Sequence, residues 1–253
     1  MKIYVYIGDV SHLNTEKRTE YLENLSEYRK NKCLRFKYET GKNLSLGAGY
    51  LLSLALQDFG LNEKYADYGF SENGKPYILH YPMIDFNLSH SGTKVMCVSS
   101  SDGIALGCDV EQIRSGKLKV ANRFFTENEN RLLESLSSET EKDDIFAKLW
   151  TLKESYIKCT GEGLGRPMDT FEFFGDDGEL RVRVKTDNDT AADKGYVNDN
   201  GFITDTSYGF ICLNDLTLNE PDKEVKDLYK YSICYKKCVL TDKPVIEVKN
   251  IIL

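Results

Sequence analysis

Hydrophobic positions recur with two periods along this chain, and each change of period marks a new element. Residues 1–7, Met-Lys-Ile-Tyr-Val-Tyr-Ile, are a short apolar run that predicts a first strand. Residues 15–36 are rich in helix formers and charge and predict one helix. Gly41 interrupts, and Leu44, Leu46, Leu51, Leu52, Leu54, Ala55 and Leu56 then mark an apolar helical segment. Gly47 and Gly49 weaken that helix, so they are expected where packing is close. Residues 68–85 predict short strands and turns punctuated by Gly74-Lys75-Pro76, followed by a strand at 86–91 that runs into a polar turn. Two β-rich runs, 94–100 and 104–111, flank Ser101-Asp102-Gly103, and an Asp-Gly turn between such runs predicts a hairpin.

The second part of the chain is more helical at first. Thr126 followed by Glu129 is a capping-box pattern, opening a helix to about Ser137. A further helix is expected over 141–159, ended by Gly161, Gly163, Gly165 and Pro167. Residues 171–185 predict a hairpin around Asp176-Asp177-Gly178, residues 187–201 a polar loop, and residues 208–213 a core strand. The tail from Glu220 alternates only weakly. Strands and helices mix without regular βαβ alternation, which favours an α+β fold.

Length and composition narrow the class. A chain of 253 residues suits one large domain or two halves, and 41% apolar with 29% charged residues is ordinary for a globular protein. The apolar N-terminus is too short for a signal peptide or a membrane span, so no membrane association and a cytoplasmic location are expected. The seven cysteines lack metal-ligand spacing and are expected as free thiols. A formal charge of −7 argues against a general nucleic-acid binder. Arg29, Lys30, Lys32, Arg35 and Lys37 nevertheless form a local basic cluster, either a solvated helix face or a patch for a phosphate or an acidic partner.

The candidate chemistry lies in two segments, Gly107-Cys108-Asp109-Val110-Glu111 and Trp150 to Lys158. Strand alternation puts Asp109 and Glu111 on one face and Cys108 and Val110 on the other. Glu154 and Lys158, four residues apart, share a helix face. Each feature has a plain alternative: a wetted strand face for the first, a surface ion pair for the second. Together, beside Trp150, three carboxylates and a lysine suit a Mg2+ ion holding a phosphate ester. His90, one of three histidines, sits between Ser89 and Ser91 at a strand end, where donors suit a phosphate. Lys75, ahead of Pro76, is a loop lysine of open role.

Phe86-Asn87-Leu88-Ser89-His90-Ser91, the G-x-D-x-E pattern at 107–111 and W-x-x-K-E-x-x-x-K at 150–158 resemble the phosphopantetheinyl transferases, in length and spacing the longer surfactin-synthetase-activating type. Phe124-Phe125-Thr126 with Glu129 fits the same pattern. The resemblance implies a monomeric pseudo-dimer of two similar α+β halves, divided as 1–104 and 105–253, with coenzyme A in the cleft between them. It implies Mg2+-dependent transfer of phosphopantetheine from coenzyme A to a serine of an apo acyl or peptidyl carrier protein, releasing adenosine bisphosphate. By motif position, Asp109, Glu111 and Glu154 hold the metal, Glu154 is the candidate base, and Lys158 neutralises the transferred phosphate. Ser89, His90, Lys153 and Lys158 join Lys75 and Pro76 at coenzyme A, with Arg29 and Lys32 near its adenosine phosphate. One arginine of the family, ahead of the apolar helix, has Lys42, or Asn43 and Ser45, in its region. The Arg29–Lys37 cluster is then a candidate docking surface for acidic carriers. Two other readings compete: a coenzyme A-binding protein of the same fold without catalysis, and a metal-dependent phosphodiesterase, which usually carries more histidines or a denser acid cluster.

Overall fold

The N-terminal apolar run forms β1 (Lys2–Asp9), whose two faces are both covered. Ile3, Val5 and Ile7 enter one core cluster and Tyr6 another. This is a computed structural model that describes residues 1–175, 179–185, 201–214, 228–238 and 243–253. The expected turn at 176–178 and most of the polar stretch 187–201 lie outside the described residues.

The single helix expected over 15–36 is two, α1 (Thr15–Glu23) and α2 (Glu27–Leu34). Ser26 makes the break. Its backbone is extended and its hydroxyl accepts from the Arg29 amide, which starts a new helix. Buried Leu25 pins the connection to the core. Gly41 does not interrupt α3 (Glu39–Gln57) but lies inside it, where its missing Cβ makes room for Phe36. Gly47 and Gly49 do mark close packing: a Cβ there would meet Val10 at 2.6 Å and Leu25 at 2.9 Å.

A small ribbon follows, β2 (Tyr68–Phe70) with β3 (Pro76–Ile78), and then β4 (Asp85–Ser91) and β5 (Lys94–Ser100). These last two form the actual hairpin, turning at Gly92 with φ 57°. The hairpin expected around Asp102-Gly103 is absent, because β5 and β6 (Leu106–Gln112) belong to different sheets. Asp102 instead accepts the Lys2 amide and the Gly103 amide bonds Met83 O, so the turn hands the chain to the second half. A local turn signal does not choose between partners that long-range burial decides.

The second half repeats the plan. It runs through α4 (Leu118–Phe124), α5 (Glu127–Ser135) with its capping box, and the long α6 (Glu139–Thr160), closed by Gly161 at φ 74°. Strands β7 (Phe171–Phe174), β8 (Arg181–Lys185) and β9 (Phe202–Asp205) form a side sheet. Next come β10 (Tyr208–Asn214), β11 (Tyr229–Lys236) and β12 (Val245–Ile252). The sheet orders are β12-β1-β5-β4 and β10-β11-β6. In each half the opening strand is followed by three helices and pairs with the closing strand of a two-strand return, β1-β5-β4 and β6-β11-β10. This duplicated order is the internal twofold that the resemblance implies, on an α+β fold. The weakly patterned tail ends as β12, parallel to β1, so the last strand crosses the expected 104/105 division.

The halves meet through an apolar core of Ile3, Val5, Met96, Val98, Cys108 and Val110 with Tyr231 and Ile233. Helix α6 then lies directly on β6. A Cβ on Gly107 would sit 2.0 Å from Ser155 O and 2.4 Å from Cys159 N. Replacement by Gly107→Ala must push α6 off the strand, and overpacking of this kind costs about 1–3 kcal/mol. Urea unfolding of the variant should show that loss; wild-type stability would mean that α6 and β6 are not in contact there.

Candidate active site

One edge of β6 pairs with β11, and its other edge faces β4 without a backbone ladder. Side chains take the ladder's place. Asp85 Oδ2 accepts Leu106 N at 2.7 Å, Asn87 Oδ1 accepts Cys108 N at 3.0 Å, Ser89 Oγ accepts Val110 N at 3.3 Å, and Ser91 Oγ accepts Gln112 N at 3.2 Å. Buried amides need acceptors, and alternate residues of one strand supply them to alternate residues of the other. The same two serines donate their protons to the acids of β6: Ser89 to Asp109 Oδ1 at 2.7 Å and Ser91 to Glu111 Oε2 at 2.8 Å. Cys108 and Val110 point the opposite way into the apolar core, as strand alternation requires.

The Gly107 contact sets the height of α6 and with it Glu154 and Lys158. The Lys158 ammonium lies 2.6 Å from Asp109 Oδ1, 3.2 Å from Cys108 O and 3.3 Å from Ser89 Oγ. It therefore pairs across the fold with the strand carboxylate, not along the helix with Glu154. Desolvation is the largest effect and opposes its charge, but the charge and hydrogen bond of Asp109, with Cys108 and Glu154, together hold its pKa above the usual lysine value. Burial raises the pKa of both Glu111 and Glu154 and the Asp109 charge adds to it, opposed by Lys158 at Glu154 and by the Ser91 hydrogen bond, Arg114 and Lys158 at Glu111. Asp109 Oδ2 is buried and, among the described residues, has no hydrogen-bond partner. Negative charge thus outweighs positive at this point, and a buried carboxylate oxygen is left without a partner. That fits a cation. Among the described residues no three His, Cys, Asp or Glu side chains already converge as a metal cluster.

Cationic groups adjoin the acids. His90 is pushed below the usual imidazole pKa by desolvation, and then by Lys158 and Lys32. Lys32 reaches solvent, yet desolvation and the charge of Arg29 lower its pKa too. Arg29 itself is only 4% exposed, and its Nε and Nη2 have no hydrogen-bond partner among the described residues. Such a group suits an anion. Lys75 donates to Asp85 Oδ2 at 3.0 Å and Leu106 O at 2.8 Å, at the end of the β4–β6 row. Lys75, Pro76, Asn87, Glu154 and Lys158 line one cavity of about 240 Å3 between the halves.

Two expectations need correction. Lys153 does not face this cavity. It is fully buried, donating to Met168 O and Phe171 O and paired with Glu129 Oε2 at 2.8 Å. Helix geometry carries the reason: Lys153 shares its face with Leu149, Tyr156 and Ile157, all buried, and lies well around the helix from Lys158. Arg29, being buried, cannot belong to an exposed docking patch. Ser89 is also buried, and its one proton goes to Asp109. Asp85 had no role in the sequence reading, Asn87 stood only within the quoted motif, and Ser91 was expected as a phosphate donor beside His90, not as a partner of β6. Their signal was present as a polar residue at every second position of β4, a pattern that normally marks a solvent face.

The comparisons agree with the motifs. Residues 105–206 match the family model of the 4'-phosphopantetheinyl transferase superfamily. A 4'-phosphopantetheinyl transferase of Bacillus subtilis is 34% identical over 187 residues, 73% of this chain and 81% of that protein. The 4'-phosphopantetheinyl transferase Sfp of Bacillus subtilis (strain 168) is 32% identical over 204 residues, 80% of this chain and 89% of that protein.

The buried Lys153–Glu129 pair is structural, and removing one member leaves the other charge stranded. Lys153→Ala should lose about 3–5 kcal/mol in urea unfolding, and Glu129→Gln/Lys153→Met should lose clearly less. Equal losses would show that the two charges are not coupled.

Proposed function

Because the chain belongs to the 4'-phosphopantetheinyl transferase superfamily and moves phosphopantetheine from coenzyme A to a carrier-protein serine, we propose that Asp109, Glu111 and Glu154 hold the Mg2+ ion of that reaction. The observation that carries this reading is the buried, unpartnered Asp109 Oδ2 beside two further carboxylates whose pKa values are raised. When bound there, a divalent cation draws charge from the pyrophosphate oxygens and aligns them for displacement.

The remaining work falls to side chains of this chain. Glu154 accepts the proton of the carrier serine, directly or through water. Lys158 stays charged and shifts its ammonium toward the phosphate that is transferred. His90, held below its usual pKa by burial and by Lys158 and Lys32 against the opposing charge of Asp109, takes up a proton more readily when a phosphate arrives, because an anion favours its charged form. Arg29 and Lys32 bind the adenosine phosphate, and Lys75 with Pro76 borders the nucleotide end of the cleft.

Residues 1–104, joined by β12, and the rest of 105–253 serve as the two walls of the coenzyme A cleft. Both walls come from one chain, which supports a monomer. Seven free thiols support a reducing, cytoplasmic setting. Exposed Arg35 and Lys37 are the part of the basic cluster left for an acidic carrier.

The test is intact mass spectrometry of an apo carrier incubated with the protein, coenzyme A and Mg2+, beside a chelator control. A Mg2+-dependent gain of one phosphopantetheine is expected, with Glu154→Gln and Asp109→Ala falling at least about a hundredfold in rate. A full rate in either variant would remove that residue from the site, and no gain with any acyl or peptidyl carrier would favour coenzyme A binding without catalysis.

A further inference from the structure

We infer that Ser91 is a positioning residue that fixes Glu111 as a metal ligand; this rests on the metal-site reading above. Glu111 sits near the open end of β6, it is repelled by Asp109 two residues away, and among the described residues no cation pairs with it as Lys158 pairs with Asp109, although the charges of Arg114 and Lys158 act on it. Among the described residues, the Glu111 carboxylate takes its side-chain hydrogen bond from Ser91 alone. Left to itself, a strand-end glutamate with three rotatable bonds would turn its charge toward solvent and away from Asp109.

Ser91 prevents this because both ends of its hydroxyl are used. Its oxygen accepts the Gln112 amide at 3.2 Å, and its single proton goes to Glu111 Oε2 at 2.8 Å. The donor is therefore referenced to the backbone of β6 itself, one residue beyond the acid that it holds. Oε2 is fixed, and Oε1 is the oxygen left for a cation. Ser89 makes the same two bonds one step back, to Val110 N and to Asp109 Oδ1. The repeat shows that serine at alternate positions of β4 is a device for aiming acids on β6, in addition to joining the halves. Outer hydrogen bonds of this kind set ligand orientation, and their loss commonly weakens metal affinity about 10–100-fold.

The test measures metal binding directly, without turnover, by Mn2+ titration followed in electron paramagnetic resonance. Ser91→Ala should bind Mn2+ about tenfold more weakly than wild type, and Ser91→Thr, which keeps the hydroxyl, should bind close to the wild-type level. Ser91→Cys preserves size but is a poor donor, so it should also bind weakly, and it serves if the alanine variant does not fold. In the transfer assay, excess Mg2+ should restore most of the rate of Ser91→Ala, since the ligand is misaimed and not removed. Equal Mn2+ affinity in wild type and in the folded alanine or cysteine variant overturns the role of Ser91 while leaving the metal site standing. Failure of the wild-type protein to take up Mn2+ overturns the metal-site reading and this inference with it.

Discussion

Four side chains of β4 stand in for a backbone ladder along β6, and the arrangement of the molecule depends on that substitution. Strand β6 has a hydrogen-bonded neighbour on one edge only. Its other edge is buried against the first half, so its amides at 106, 108, 110 and 112 need acceptors there. Asp85, Asn87, Ser89 and Ser91 supply them at one fixed offset along the chain, and a constant offset defines a register. The apolar core between the halves is non-directional and could tolerate a slip; this polar row cannot, because sliding by one residue leaves every amide unpaired. The row thus sets how the two sheets sit together, and the cavity that holds Glu154 and Lys158 forms along the same junction.

The chemistry follows from the same register. Two of the four residues are serines, and each also holds a β6 carboxylate. Gly107 sets the third coordinate by letting α6 rest on the strand backbone, which brings Lys158 to Asp109. Three short motifs that are far apart in sequence are therefore parts of one junction: 85–91 provides acceptors and aiming hydroxyls, 107–111 the close contact and two acids, and 150–158 the third acid and the lysine. Stability and site geometry are coupled here, since the bonds that join the halves also orient the acids.

Much of this was legible in the sequence, for identifiable reasons. The Thr126–Glu129 capping box and the glycine stop at 161 are local signals, and they mark real helix ends. Alternation at 107–111 correctly separated acids from core residues, because one face of β6 is dry. Where reading failed, a distant contact outweighed a local cue. Asp102-Gly103 is a turn by composition, but burial sends the chain into another sheet. Ser26 splits a helix because Glu63 takes its amide and hydroxyl, each at 2.7 Å, from elsewhere in the chain. Lys153 was grouped with Lys158 by motif, although the helix places it among Leu149, Tyr156 and Ile157. The polar alternation of β4 resembled a wet face and is an interface, because its partner is an edge strand that needs acceptors.

The central claim is that carboxylates from β6 and α6 meet at one cation. Anomalous X-ray scattering from crystals of the protein with coenzyme A and Mn2+ tests it most directly. The account predicts one strong peak within coordination distance of Asp109 and Glu111 on the strand and Glu154 on the helix, with Lys158 moved off Asp109 toward phosphate. A peak at another group of residues, or none at Mn2+ concentrations that support transfer, would contradict it.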